Sequence, residues 1–126
     1  MPDWRWLREG TVLALHEEQL TEHGGAAGVR DIGLLQSALA RPENHAAYGD
    51  PNAAALAAAY AFGIARNHPF TDGNKRTAAV SALLFLAHNG IGFQIGEAEL
   101  VVMTLALAAG ELTEDVVAAW LRDRLT

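Results

Sequence analysis

Ten consecutive residues, "HPFTDGNKRT" from His68 to Thr77, hold a histidine, an aspartate, an asparagine and two adjacent cations. Lys75 is the single lysine in all 126 residues. A histidine with an unperturbed pKa of about 6.5 can take a proton from an attacking hydroxyl near neutral pH. Asp72 can cap a helix or offer Mg²⁺ a hard oxygen ligand, as a metal riding on phosphates requires. Asn74, Lys75 and Arg76 supply side-chain donors and positive charge, the chemistry that holds phosphate. Phe70 reads as a plug that anchors the loop by burying its ring. Each residue alone has a structural explanation: a turn glycine at 73, a capping aspartate, a packed histidine before proline. Their concentration in one loop points to a site.

The elements around the loop decide what it can do. A predicted helix starts near Gly73 and runs through "NKRTAAVSALLFLAHNG", with Gly90 as its stop after Asn89. Its first turn exposes unpaired N–H groups and the positive end of the helix dipole, a ready anion site. The dipole alone favours acidic residues there, so Lys75 and Arg76 cost stability unless an anion binds. The inference from these residues is a phosphate site.

The remaining segments also read as helices. "TVLALHEEQLTEH" offers Thr11 as a cap and stops at Gly24-Gly25; "GVRDIGLLQSALARP" offers Asp31 as a cap and Pro42 as a stop, which predicts a short helix. "PNAAALAAAYAFGIARN" is apolar nearly all round and must end near Asn67, because Pro69 disfavours helical geometry at His68. From Thr77 to Ala87 the loop's own helix is apolar on all sides, which predicts a central core helix roughly 25 Å long. "IGFQIG" reads as a brief extended piece. "EAELVVMTLALAAG" and "TEDVVAAWLRDRL" give two more helices, the first stopped by Gly110 and the second capped by Thr113. The expected fold is all-α, a single domain over residues 1–126 with about six helices around a buried central helix. Trp4, Trp6 and Trp120 lie near the chain ends, which suggests that the ends pack together.

Composition excludes several classes. A net charge of −6 argues against a nucleic-acid binder, and zero cysteines exclude disulfides and thiolate metal sites. Apolar residues reach 51%, yet no uninterrupted apolar run spans a bilayer and the N-terminus lacks a signal-peptide layout, so a cytoplasmic protein is expected. "HEEQLTEH" fails the HExxH zinc spacing because Leu20 stands where histidine is needed, leaving His16 and His23 as expected surface residues. "GIGFQIG" lacks the dinucleotide fingerprint. His45 and His88 have no evident partners in the sequence.

"HPFTDGNKRTA" resembles the signature of the Fic/Doc family, specifically its Doc (death-on-curing) toxin branch. The resemblance spans nearly the whole chain through "VLALHEEQL", "HGG", "GVRDIGLLQSALARP" and "SALLFLAHNG". Members of the wider family usually carry Gly-Asn-Gly-Arg and a second Arg beyond it; Lys75 replaces that second Gly, and Ala79 stands in place of the second Arg. The Gly form is associated with nucleotidyl transfer from ATP. The lysine form is similar to the Doc branch, which implies a toxin that moves the terminal phosphoryl group of ATP to elongation factor Tu. The resemblance implies His68 as general base, Asp72 positioning Mg²⁺ or phosphates, and Gly73, Asn74, Lys75 and Arg76 holding the phosphates. It also implies a separate antitoxin acting through a flexible segment in an apolar groove. The chain offers no [ST]xxxE[GN] inhibitory segment of its own, since Arg5 precedes Glu9-Gly10 and Leu39 precedes Glu43-Asn44. Nucleotidyl transfer to a protein hydroxyl and a catalytically silent binding domain are the alternatives.

Overall fold

The computed structural model describes residues 3–126 and contains six helices: α1 (Glu9–His23), α2 (Ile32–Tyr48), α3 (Ala53–Asn67), α4 (Asn74–His88), α5 (Glu97–Ala108) and α6 (Glu114–Arg122). Among the described residues there are no strands, only two isolated antiparallel bridges, Val29 with Phe70 and Phe93 with Leu125. The fold is all-α, as the sequence predicts.

The buried central helix is α3 rather than α4. Its alanines let neighbouring helices approach on every side, and it packs against α2, α4, α5 and α6. Eleven of its fifteen residues are buried, including Leu56, Tyr60 and Ile64. Full burial of each large side chain contributes about 1.5–3 kcal/mol. At Gly63 a Cβ would lie 3.2 Å from Ala38, so glycine there permits the close approach of α2. The helix after the loop, α4, is also deeply packed through Ala78, Ala82, Phe85 and Leu86, but Val80, Leu83 and Leu84 remain half-buried. Periodicity could not rank two helices that are both apolar all round.

Two boundaries differ from expectation, each for a tertiary reason. Helix α1 begins at Glu9, ahead of Thr11, with Arg8 at the N-cap and no side-chain cap. The chain entering it is fixed from outside, because the Leu7 N–H donates to the buried Tyr60 hydroxyl at 2.9 Å. Helix α2 continues through Pro42 to Tyr48 and is the longest of the six. Proline removes one helical hydrogen bond. The ring is buried, however, and residues on both sides of it are tied to α6: Glu114 accepts from Arg41 Nε and lies 2.6 Å from His45 Nε2. His45 therefore has a structural partner that the sequence did not reveal.

The chain ends fasten to one end of α4. Trp4 and Trp6 each lie 5.9 Å from Phe85, and Arg5 and Asn89 exchange hydrogen bonds between backbone and side-chain amide. On the other side, the Gln94 N–H donates to the Arg124 carbonyl, and the Thr126 N–H to that of Gly92. Trp120 lies under the Arg124 guanidinium at 3.8 Å. No helix among the described residues is long and apolar enough to cross a membrane.

Candidate active site

Helix α3 ends in a conformation that turns its last residue outward. His68 is the C-cap, its N–H donating to the Ile64 carbonyl, with φ 50° and ψ 56°. It is the sole non-glycine residue at positive φ among the described residues, a geometry that costs roughly 1–2 kcal/mol for an L-residue. A clamp from outside the loop holds it there. Arg30 donates Nε to the His68 carbonyl at 2.8 Å and Nη2 to that of Asn67 at 3.0 Å. The N–H groups of Arg30 and Asp31 both reach the Pro69 carbonyl, and the Thr71 N–H reaches that of Gly28. Residues 28–31 thus pair with 68–71 as a short antiparallel flap.

Asn74 closes the loop from inside. It is 6% exposed; its Oδ1 accepts from the Phe70 N–H and its Nδ2 donates to the Phe70 carbonyl, both at 2.9 Å. Phe70 is 1% exposed, so its ring plugs the core as predicted. Asn74 Nδ2, which can only donate, also lies 3.4 Å from His68 Nδ1, near the long limit for a hydrogen bond.

Asp72 is not the N-cap of α4; Gly73 is, at φ 78° and with no side-chain cap. The Asp72 carboxylate instead accepts from the Gly73 N–H at 2.8 Å and the Ala26 N–H at 3.2 Å. The Gly73 N–H, then the Ala26 N–H, with the nearby Arg76 and His16, hold this carboxyl below its ordinary value of 3.8. Gly25 makes the approach possible, since a Cβ there would stand 2.7 Å from Asp72 Oδ2.

The first turn of α4 is left open. Lys75 forms no ion pair among the described residues. Arg76 donates Nη2 to the Gly24 carbonyl at 3.2 Å, but its buried Nε has no partner. A buried N–H donor without an acceptor costs about 1–3 kcal/mol until one arrives. Lys75 and Arg76 border a cavity of about 300 Å³ lined by His68, Thr71 and every residue from Asp72 to Arg76. A hollow of about 340 Å³ near Trp4, Trp6 and the end of α2 is larger, but its lining holds no histidine or basic side chain.

All six residues singled out in the sequence, His68, Asp72, Gly73, Asn74, Lys75 and Arg76, line one cavity. The contributions of other segments were not foreseen: Ala26, Arg30 and, above all, His16. Expected on the surface, His16 is 3% exposed, stacked on Phe70 with centroids 3.8 Å apart, and bonded through Nε2 to the Asp72 carbonyl at 2.7 Å. Spacing within α1 carried a partial signal: Val12, His16 and Gln19 fall on one helical face, and all three are buried. His23 is exposed, as expected.

Residues 6–86, carrying the flap, the loop and most of α4, match the model of the Fic/DOC family. The chain belongs to the Fic/DOC family. It is 37% identical over 113 residues to the protein kinase doc of Escherichia phage P1, covering 88% of each chain. It is 48% identical over 71 residues to the toxin Doc of Mycolicibacterium smegmatis, covering 54% of each. Both relatives carry the Doc name, so this Fic/DOC protein sits with the Doc branch. Among its described residues no three His, Cys, Asp or Glu side chains converge as a protein-only metal cage.

Proposed function

We propose that this Fic/DOC protein transfers the terminal phosphoryl group of ATP to a protein hydroxyl and serves as the toxin of a toxin–antitoxin pair. The observation that carries the reading is the meeting of a histidine with an open helix N-terminus, Lys75 and Arg76 in one cavity. The phage relative is named as a protein kinase, which supports phosphoryl rather than nucleotidyl transfer.

The residues fit a triphosphate. The N–H groups of the α4 first turn, Lys75 and Arg76 hold the phosphate oxygens. Asp72 retains free lone pairs after its two backbone bonds and offers one carboxylate, which suits Mg²⁺ shared with phosphates. Bound Mg²⁺ would neutralise charge on the phosphate oxygens. His68 accepts the proton of the target hydroxyl as its oxygen bonds to the γ phosphorus; the bond from that phosphorus to the β–γ bridging oxygen breaks, and ADP leaves. Lys75 and Arg76 stabilise the charge on the equatorial oxygens. A lysine where members of the wider family carry glycine fills space and adds charge, so the triphosphate should lie differently.

The acceptor we propose is elongation factor Tu, which places the protein in the cytoplasm and makes arrest of translation its effect. Inhibition comes from a separate antitoxin. Val101, Val102 and Leu105 leave apolar surface in solvent on α5, the kind of face on which a flexible segment can fold.

The test is label transfer from ATP carrying α or γ label, with Mg²⁺ and elongation factor Tu. Transfer of γ label, reduced about 10²–10⁴-fold in His68→Ala, is expected. Transfer of α label would assign nucleotidyl transfer instead. Movement of neither label, with His68→Ala as toxic to cells as the parent, would leave a binding domain.

A further inference from the structure

One buried titratable side chain plays no part in the transfer just described. His16 lies within α1, 56 residues from Asp72 in the chain, and does not line the cavity. Its contacts leave it little freedom. Its ring is parallel to that of Phe70 within 7°, which fixes its plane. Its Nε2 is 2.7 Å from the Asp72 carbonyl oxygen, which fixes its rotation. A carbonyl only accepts, so Nε2 carries the proton. Carbon and nitrogen atoms of the ring also lie under Gly73, where a Cβ would meet Cδ2 at 3.5 Å and Nε2 at 3.6 Å.

The peptide held in this way joins the two halves of the site. On one side hangs the Asp72 carboxylate, itself bonded to the Gly73 and Ala26 N–H groups. On the other, Gly73 opens α4, whose first-turn residues Asn74, Lys75 and Arg76 line the cavity. Rotation of the Asp72–Gly73 peptide would move the carboxylate and the anion site relative to each other.

We infer that His16 is a positioning residue: the hydrogen bond from Nε2 to the Asp72 carbonyl sets the carboxylate and the first turn of α4 in register for a phosphate-bearing ligand. The choice of ATP as that ligand rests on the phosphotransfer reading; the contact itself does not. A histidine that merely filled space would be replaceable by any flat ring.

That difference defines the experiment. His16→Phe keeps a ring to stack on Phe70 and removes the donor, whereas His16→Gln loses the ring and places an N–H near the position of Nε2. Melting temperature, kcat, KM for ATP and the backbone amide resonances of residues 72–76 are measured for both. Because misplacement by about 1 Å can cost 10²-fold, His16→Phe is expected to lower kcat by about 10–100-fold while still folding, with His16→Gln recovering to within about threefold of the parent. The amide resonances of Gly73 and Asn74 should shift in the Phe variant. Parental kcat and unmoved resonances in that variant would overturn the inference, as would a folded Gln variant no faster than the Phe variant.

If the parent protein transfers no phosphoryl group, the phosphotransfer reading fails by itself. Inorganic pyrophosphate titrated against the same amides then tests His16: binding about tenfold weaker in His16→Phe supports the role, and equal binding removes it. If the Phe variant does not fold, the imidazole nitrogen spectrum of the parent near neutral pH decides. A proton on Nε2 with a hydrogen-bond correlation to Asp72 is expected; a neutral ring protonated on Nδ1 alone contradicts it.

Discussion

The two ends of α4 follow opposite rules. At the C-terminal end the helix is well closed: the Asn89 side chain bonds the Arg5 backbone and the Phe85 carbonyl, the Asn89, Gly90 and Ile91 N–H groups donate to carbonyls of the last turn, and Gly90 takes the left-handed turn at φ 72°. At the N-terminal end the cap is a bare glycine, two cations oppose the dipole, and Arg76 Nε is buried without a partner. Helices α2, α3 and α6 show that the chain has ordinary caps available, since Asp31, Asn52 and Thr113 each accept from a first-turn N–H. Helix α1 also lacks a side-chain cap, but among the six helices α4 alone carries two cations in its first turn, beside a cavity that a ligand could fill.

Substitutions at the two ends should therefore separate stability from function. The largest stability effect is expected for Asn74→Ala, which strands the buried N–H and carbonyl of Phe70; a loss of about 2–4 kcal/mol in urea unfolding should accompany loss of transfer activity. An unchanged midpoint would mean that Asn74 does not clasp the loop. Asn89→Ala, at the opposite end, should cost about 1 kcal/mol and leave transfer intact. Reduced activity there would show that the ends are coupled. Lys75→Glu reverses a charge against the dipole, so the folded state should gain about 0.3–1 kcal/mol while ATP binding, followed by titration calorimetry, disappears.

The smallest effect concerns pH. The Asp72 carboxyl is lowered in the folded state, chiefly by the Gly73 N–H and then by the Ala26 N–H, so its contribution to stability is present above the unfolded value. That contribution is lost as pH falls through the folded value, below 3.8. Asp72→Asn should therefore be less stable than the parent near neutral pH, and the difference should close under acid. Parallel unfolding curves at every pH would show that the carboxylate's bonds do not stabilise the fold.

What the sequence made legible was local. Asp31 caps α2 and Thr113 caps α6 through hydrogen bonds three residues ahead, and Gly90 ends α4; such signals are complete within a few residues. The loop was legible for the same reason, because one short segment carries its histidine, carboxylate and cations. Pro42 misled because the tie from Glu114 to His45, which holds the helix beyond it, comes from residue 114. Thr11 misled because Tyr60 fixes the entry to α1. His16 and Arg30 were missed because their partners lie 56 and 38 residues away, a separation that no spacing rule reports.

Those separations also bear on when the protein becomes competent during its own synthesis. The loop, α1 and the flap meet through contacts spanning 38 to 56 residues, among them Arg76 to Gly24 and Asp72 to Ala26. A nascent chain that ends before Asn67 has His16 and Arg30 and nothing for them to hold. Translation at about 5–20 residues per second gives such a chain an interval of seconds in which it is already present but chemically inert. Competence requires α4 in its place against α1 and α3.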